Sequence, residues 1–254
     1  MNERWKEHFD QDIAFHRKTA AIYDHVNIEP RALATDLLFA PFERHVAPGA
    51  TMLDLGCGTG QMLLRYASRF RRAVGVDHSP EMLDLARERV PEVAAGRCTL
   101  VNSDFLEFLG AGRDRYALVS CVGCLHHLPG EAFDVFFRLV RGRLEQNGLL
   151  LLAEPVDTGG RAPPPPVARW NARSVMATRA ALMPMEESDE APIAEEVLLL
   201  RPADYGLRRV AISRGWELFQ RSVPPSLLDH LALRFLHGRY GSTGNVVAAL
   251  WQAI

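Results

Sequence analysis

Eight residues constrain this chain more than any others: Leu53-Asp54-Leu55-Gly56-Cys57-Gly58-Thr59-Gly60. The apolar stretch ending at Leu55 predicts a buried strand, which breaks into three glycines at alternating positions. A helical pattern, Gln61 to Ala67, follows at once. Strand, glycine turn and helix bring backbone N–H groups against a ligand, because residues without Cβ permit close approach and positive φ. The spacing is G-x-G-x-G, not the G-x-G-x-x-G that seats a dinucleotide pyrophosphate. Asp54, two residues before the first glycine, sits poorly beside a pyrophosphate and suits the ammonium of an amino-acid moiety. Seventeen residues beyond Gly60, Asp77 ends a second apolar run, Ala73-Val74-Gly75-Val76. A carboxylate at a strand end can accept both hydroxyls of a ribose.

The rest of the chain supports one α/β domain with additions. At 254 residues it can bury a sizeable core, and a net charge of −2 gives no reason to expect nucleic acid as the main partner. The basic clusters Arg69-Phe70-Arg71-Arg72 and Arg138 to Arg143 fall on or just after predicted helices and read as solvated faces. No apolar run approaches membrane-span length, and Met1 to Glu7 is too polar for a signal-peptide core. The expectation is a cytoplasmic protein without a membrane partner, its four cysteines reduced.

Residues 1–48 read as helical, with Ile13, Ala20, Tyr23 and Val26 on one face, Leu33, Leu37 and Leu38 on a second, and Pro41 interrupting. From about 50 to 154, strands and helices alternate as in a parallel sheet covered on both faces. Ser79-Pro80-Glu81 opens a helix, and strands are predicted at 98–102, 116–122 and 149–153. Asn147-Gly148 ends the helix that carries Phe133, Phe136 and Phe137. The alternation then stops. Residues 155–200 hold Pro163 to Pro166, several Met and Ala, and the acidic run Glu186 to Glu190. Trp170, Met176, Leu182, Met183 and Met185 give this insertion an apolar side, which favours a lid over the site. Beyond it, a helix is predicted over Asp204–Ser213, a strand over Trp216–Gln220, a helix over Leu227–Leu236, and a last antiparallel strand over Val246–Trp251 at or near the sheet edge. The implied divisions are an N-terminal helical cap (1–48), a ligand-binding core (49–154), the insertion (155–200) and a C-terminal completion of the sheet (201–254).

These motifs, with Val74-Gly75-Val76-Asp77-His78-Ser79-Pro80-Glu81-Met82-Leu83, Asn102-Ser103-Asp104-Phe105, Leu125-His126-His127-Leu128-Pro129 and Gly148 to Pro155 in order, resemble the class I S-adenosylmethionine-dependent methyltransferases, in particular the small-molecule branch. The likeness covers 50–154 well and 200–254 loosely. It implies a Rossmann-like, seven-stranded, mainly parallel sheet with helices on both faces, and S-adenosyl-L-methionine as cofactor. By the resemblance, Gly56, Cys57, Gly58 and Gly60 would border the methionine part, with Asp54 near its amino group. Asp77 would hold the ribose hydroxyls, and His78 or Met82 would flank the adenine. Asp104 would take the adenine amino group with Phe105 beside the ring, the backbone at Cys121 would border the sulfonium, and Tyr23 would fold over from the N-terminal helix. Each has a simpler reading too: Asp104 as a helix N-cap, Cys57 as a small turn residue, Phe105 as core.

On the acceptor side, His126, His127 and Glu154 fall at strand carboxyl ends, where ligands bind in such sheets. One histidine could accept a proton while Glu154 orients it or binds an acceptor hydroxyl. Cys121-Val122-Gly123-Cys124 beside two histidines raises zinc, but four ligands within seven residues would need a tight knuckle, and the metal reading is set aside. The expected activity is methyl transfer to an O, N or C atom of a small metabolite, of the kind found in secondary metabolite biosynthesis, and a homodimer is compatible with the sequence. Two alternatives stand beside it: a non-methylating reaction with the same cofactor (cyclisation, decarboxylation or rearrangement), and a non-catalytic binding module. A nicotinamide enzyme is disfavoured by the loop spacing.

Overall fold

The computed structural model describes residues 18–20, 22–174 and 192–254. Ile13, Met176, Leu182, Met183, Met185 and the acidic run Glu186 to Glu190 lie outside the described residues.

Seven strands form one sheet: β1 Gly49–Leu55, β2 Phe70–Asp77, β3 Cys98–Asn102, β4 Tyr116–Val122, β5 Leu144–Pro155, β6 Leu207–Gly215 and β7 Val246–Ala253. Their order is β3-β2-β1-β4-β5-β7-β6, and β1 to β5 pair in parallel. β7 is antiparallel to both β5 and β6, so β6 runs in the direction of β5. Every parallel strand therefore ends on the same rim. This is the Rossmann-like α/β architecture expected from the sequence.

Alternation along β1 explains how the two faces are filled. Leu53 and Leu55 enter one apolar layer with Val119, Leu150, Leu152 and the Phe136–Phe137 pair, and all are buried. Met52 enters the other with Leu118, Leu151, Leu63 and Phe39. Helix α6, Phe133–Arg143, covers the first face. The second is covered by α1 Ala32–Phe39 and α2 Gln61–Tyr66. Between strands, α3 Pro80–Arg89 starts on a Ser79 cap whose hydroxyl accepts from the Met82 N–H, and α4 Pro91–Ala94 and α5 Phe105–Ala111 follow. The described N-terminal part is helical as read: a π-turn over Asp24–Ile28, a 3₁₀ turn, α1, and a second 3₁₀ turn at Pro41.

Three further helices follow among the described residues. α7, Pro165–Asn171, packs Val167 and Trp170 against Trp216, Leu218, Leu233 and Leu236. α8, Glu195–Leu199, lays Val197 and Leu198 on the first face. α9, Leu227–Tyr240, opens with a capping box between Ser226 and Asp229.

Several sequence expectations are corrected. Residues 207–215 form the edge strand β6 and not a helix, with only a 3₁₀ turn, Arg201–Tyr205, ahead of it. Trp216–Gln220 is not a strand; its Trp216 and Leu218 turn inward to anchor α7 and α9. The last strand, β7, is antiparallel and near the edge as expected, with β6 outside it as the edge itself. α6 ends at Arg143, and β5 begins at Leu144 with an irregular step near Asn147, which has φ 62°.

The basic clusters are not solvated faces throughout. Arg71 and Arg72, on β2, are exposed as read, but Arg69 donates to the Glu43 and Val46 carbonyls. Arg143 is buried and donates to the carbonyls of Asp114 (2.6 Å) and Leu109 (3.2 Å), in the space a Cβ on Gly112 would need. Losing it leaves buried carbonyls unpaired, a loss of about 2–4 kcal/mol. Arg143→Ala is expected to lower urea-unfolding stability by about that much, and Arg143→Lys to restore less than half, because an ammonium lacks the planar fork.

Candidate functional site

The rim of the sheet carries the chemistry. Asp54 sits one residue before the end of β1, flanked by Gly75 on β2 and Ser120 on β4. It is buried, and the Ser120 hydroxyl donates to its Oδ1 at 2.6 Å. Its Oδ2 is buried without a hydrogen-bond partner. Desolvation pushes the carboxyl up to about 7; the Ser120 hydrogen bond opposes this and the nearby Asp77 charge adds to it. A folded pKa above the unfolded one stabilises the protein fully below about pH 4, and that stabilisation is lost as pH rises through about 7. The ligand-free fold thus resists ionising Asp54, and a cation brought to Oδ2 would relieve that resistance.

The glycine turn is held open by its own geometry. Gly56 has φ 62°, and the side chain of Cys124 fills the space where its Cβ would stand, at 2.7 Å. Gly60, φ 86°, is the N-cap of α2 and packs against Val90 at 2.6 Å from a Cβ position. Nothing lies within 4 Å of a Cβ on Gly58. The Gly58 N–H donates to Asp77 Oδ2 at 2.7 Å, and the Ser79 N–H to Asp77 Oδ1 at 2.9 Å. The buried Asp77 thereby joins the glycine turn to the exit of β2. The Cys57 thiol is buried, and desolvation pushes its pKa well up.

Neighbouring candidates are strung along the same rim. The Asn102 amide donates to the carbonyls of Asp77 and His78, and the Ser103 N–H to that of Asp77, so the end of β3 is tied to the end of β2. Asp104 caps α5, its Oδ1 accepting from the Glu107 N–H at 2.8 Å. Phe105 is buried edge-on against Phe136, and Met82 is buried at the start of α3. Tyr23 directly precedes Asp24, which accepts from the Thr59 hydroxyl at 2.7 Å and pairs with Arg89 at 2.5 Å. This clasp binds the N-terminal segment to the glycine turn.

A second cluster stands at the ends of β4 and β5. Glu154 is buried; its Oε1 accepts from the N–H groups of Cys124 (2.9 Å) and Leu125 (2.7 Å), and its Oε2 meets His126 Nδ1 at 2.7 Å. A carboxylate there places the proton on Nδ1, which makes Nε2 the basic nitrogen of a neutral ring. The ring of His127 lies 4.1 Å from that of His126. The two clusters meet at Cys124, whose Sγ is 3.2 Å from the Leu55 carbonyl and 3.1 Å from Cys121 Sγ. Burial raises the Cys121 pKa; the Cys121 contact, then burial, raises that of Cys124, so both remain neutral thiols.

The structure brings together Asp54, the glycines and Asp77, and separately His126, His127 and Glu154 with Cys121 beside them. Sequence reading missed Ser120, Asp24, Thr59 and Arg89. Ser120 had a signal, a small polar residue inside an otherwise apolar strand; the other three act through contacts distant in the chain.

Residues 52–148 match a family model described as a methyltransferase domain. The matched stretch runs from β1 into β5, and over it the chain is similar to methyltransferases. Among methyltransferases, dTDP-3-amino-3,6-dideoxy-alpha-D-glucopyranose N,N-dimethyltransferase of Streptomyces fradiae is 35% identical over 96 residues, 37% of this chain and 35% of that protein. The chain therefore matches only about a third of that relative's length. The DhpI–SAH complex superimposes with a TM-score of 0.62 at 14% identity, covering 96% of both chains. A SAM-dependent methyltransferase from Archaeoglobus fulgidus gives 0.60 at 16% identity, covering 91% of this chain and 98% of that one. At these identities the likeness is one of fold.

The Glu154–His126 contact fixes a tautomer, which can be read directly. Replacing Glu154 by Gln retains an acceptor for the two backbone N–H groups and turns an NH₂ toward Nδ1. Nitrogen-15 NMR is expected to show His126 as the Nδ1–H tautomer in the wild type and the Nε2–H tautomer in Glu154→Gln. An unchanged tautomer would mean that the carboxylate does not orient the ring.

Proposed function

We propose that this chain binds S-adenosyl-L-methionine across its glycine turn and transfers the methyl group to an O, N or C atom of a small, partly apolar metabolite. One observation carries the donor half: a buried carboxylate with an unpartnered oxygen, Asp54, next to a turn whose middle glycine faces open space. A ligand bearing an ammonium and an extended backbone-hugging body fits that pair of features.

The bound cofactor supplies a sulfonium methyl with an excellent leaving group, so the protein's work is to position the acceptor and exclude water. Asp54 would neutralise the amino group and Gly56 and Gly58 would line the methionine part. Asp77 keeps lone pairs beyond its two backbone contacts and would accept the ribose hydroxyls. Asp104 would reach the adenine amino group from its capping position, with Phe105, His78 and Met82 around the ring. Cys121 lies at the end of β4, where its backbone would border the sulfonium. Tyr23, carried by the Asp24 clasp, would close the site from above.

On the acceptor side, His126 Nε2 is the base for an acceptor that must lose a proton. Both oxygens of Glu154 are engaged within the protein, which supports its reading as the residue that positions His126 over a direct grip on the acceptor. The chain leading from β5 into α7 and the chain after β6 follow the ends of those strands and would shape the acceptor pocket, while α8 lies on the first sheet face.

Titration with S-adenosylhomocysteine tests the donor half. Binding is expected to release close to one proton from Asp54 at about pH 6 and almost none above about pH 8.5, read by calorimetry in buffers of different ionisation enthalpy. Asp54→Asn should abolish the release, and Asp77→Ala should weaken binding at least tenfold. Absence of any binding would remove the proposal at its root.

Incubating cell extract with the protein and deuteromethyl-labelled cofactor tests the acceptor half. Mass spectrometry is expected to find one metabolite gaining the label, and His126→Ala to form it at least tenfold more slowly, in line with the roughly 10²- to 10⁴-fold that positioned bases contribute. Turnover that leaves the cofactor intact would instead place the chain among enzymes that use the same cofactor without methylating.

A further inference from the structure

Helix α9 is the one described helix whose solvent side is strongly apolar. Leu227, Leu228, Leu231 and Phe235 are 75%, 56%, 61% and 64% exposed, and they recur at positions that share one face. The opposite face, Leu233 and Leu236, is buried against α7 and Trp216, so these exposures are not those of a frayed end. Beside this face, between α7 and α9, is a cavity of about 300 Å³ lined by Arg169, Arg173 and Arg221 with Trp170 and Phe235. The Arg221 guanidinium stacks 3.9 Å over the Trp170 ring, and its Nε–H is buried without a partner. Arg234 and Arg239 extend the positive edge along α9 and are exposed.

Charge decides what such a face can meet. Among the described residues of α7, α9 and the segment 216–226, the carboxylates are Glu217 and Asp229. Glu217 pairs with Arg31, and Asp229 is buried in the α9 capping network. A second copy placed symmetrically on this face would set arginines against arginines. An apolar helix side edged by arginines instead matches a surface that is apolar inside and anionic at its boundary.

We propose that α9 lies on a lipid bilayer carrying anionic headgroups, with Leu227, Leu231 and Phe235 entering the acyl boundary and one phosphate-bearing headgroup seated among Arg169, Arg173 and Arg221. No described helix is long and apolar enough to cross a membrane, and an interfacial helix needs no such length. Because β6 runs parallel to β5, the chain that leads to α9 leaves the sheet at the rim where the parallel strands end. The proposal rests on surface chemistry and is independent of the methyl-transfer reading.

Co-sedimentation of the full chain with phosphatidylglycerol vesicles and with phosphatidylcholine vesicles tests it. Binding is expected to the first and not the second, to fall at least tenfold in Leu231→Glu/Phe235→Glu, and to fall similarly in Arg169→Glu/Arg173→Glu. Circular dichroism and S-adenosylhomocysteine titration of the same variants check that the fold and the donor site persist. Equal binding by either double variant, or no vesicle binding by the wild type, overturns the proposal. So does a concentration-dependent dimer, seen by light scattering, that the Leu231→Glu/Phe235→Glu change abolishes. Saturation of the arginine cavity by millimolar inorganic phosphate with vesicle binding unaffected would assign the cavity to a soluble anion and overturn the headgroup seat.

Discussion

A carboxylate kept out of water at the end of a parallel strand is the constraint around which the donor side is built. Asp54 shares its face of β1 with Met52, in a layer otherwise filled by leucine and phenylalanine side chains. Ionising an acid there is unfavourable unless something positive or hydrogen-bonding arrives, and the Ser120 hydroxyl satisfies only one oxygen. Under the proposed function this energetic deficit would be a binding determinant: a ligand bringing an ammonium gains more from this acid than from one already in water. Asp77, by contrast, is tied to the Gly58 and Ser79 N–H groups and acts as a brace for the turn before it acts on any ligand. Two acids at adjacent strand ends thus have different tasks, set by their surroundings.

Glu154 repeats the logic on the acceptor side with the opposite outcome. Its charge is buried as deeply as that of Asp54, yet three N–H donors converge on it, so it has no deficit to offer a ligand. What it transmits is orientation. The two backbone donors fix the carboxylate to the Cys124–Leu125 peptide, and the carboxylate fixes the ring of the next residue. A histidine on a surface turn is thereby given one tautomer and one direction, which a base needs and a solvated histidine lacks.

Much of this was legible in the sequence where local pattern and tertiary context agree. The glycine spacing, Asp54, Asp77 and the strands β1 to β4 are short-range statements, and the structure places them side by side. The helix expected over Asp204–Ser213 gives way to β6, where Leu207-Arg208-Arg209-Val210-Ala211-Ile212-Ser213 does not alternate cleanly. The pairing shift between Arg209 and Ala211 is the physical reason, since it breaks the period of two on an edge strand whose charged residues face water. Trp216–Gln220 was misread in the other direction: its apolar residues alternate, but they anchor α7 and α9 and pair with no strand. Arg143 reads as surface because charge within a basic run usually is; only the packing of α6 beside α5 and the loop after it shows that unpaired carbonyls await it. Asp24, Thr59 and Arg89 are ordinary residues one by one, and their role exists only as a contact across the fold.

That contact also joins the two halves of the site. The N-terminal segment is pinned to the glycine turn through Asp24, Thr59 and Arg89. A few residues later it is pinned to the chain after β6: the Gln220 N–H donates to the Pro30 carbonyl at 2.9 Å, and Arg31 pairs with Glu217 and stacks on Phe219. The segment from Asp24 to Arg31 is thus one short strap touching the donor turn at one end and the acceptor-side cap at the other. α1 continues from the strap into the same apolar cluster as α7 and α9, with Leu33, Ala34 and Leu37 packed against it. Under the proposed function, a site that excludes water during methyl transfer would need both sides in place, and the strap is a short segment that touches both.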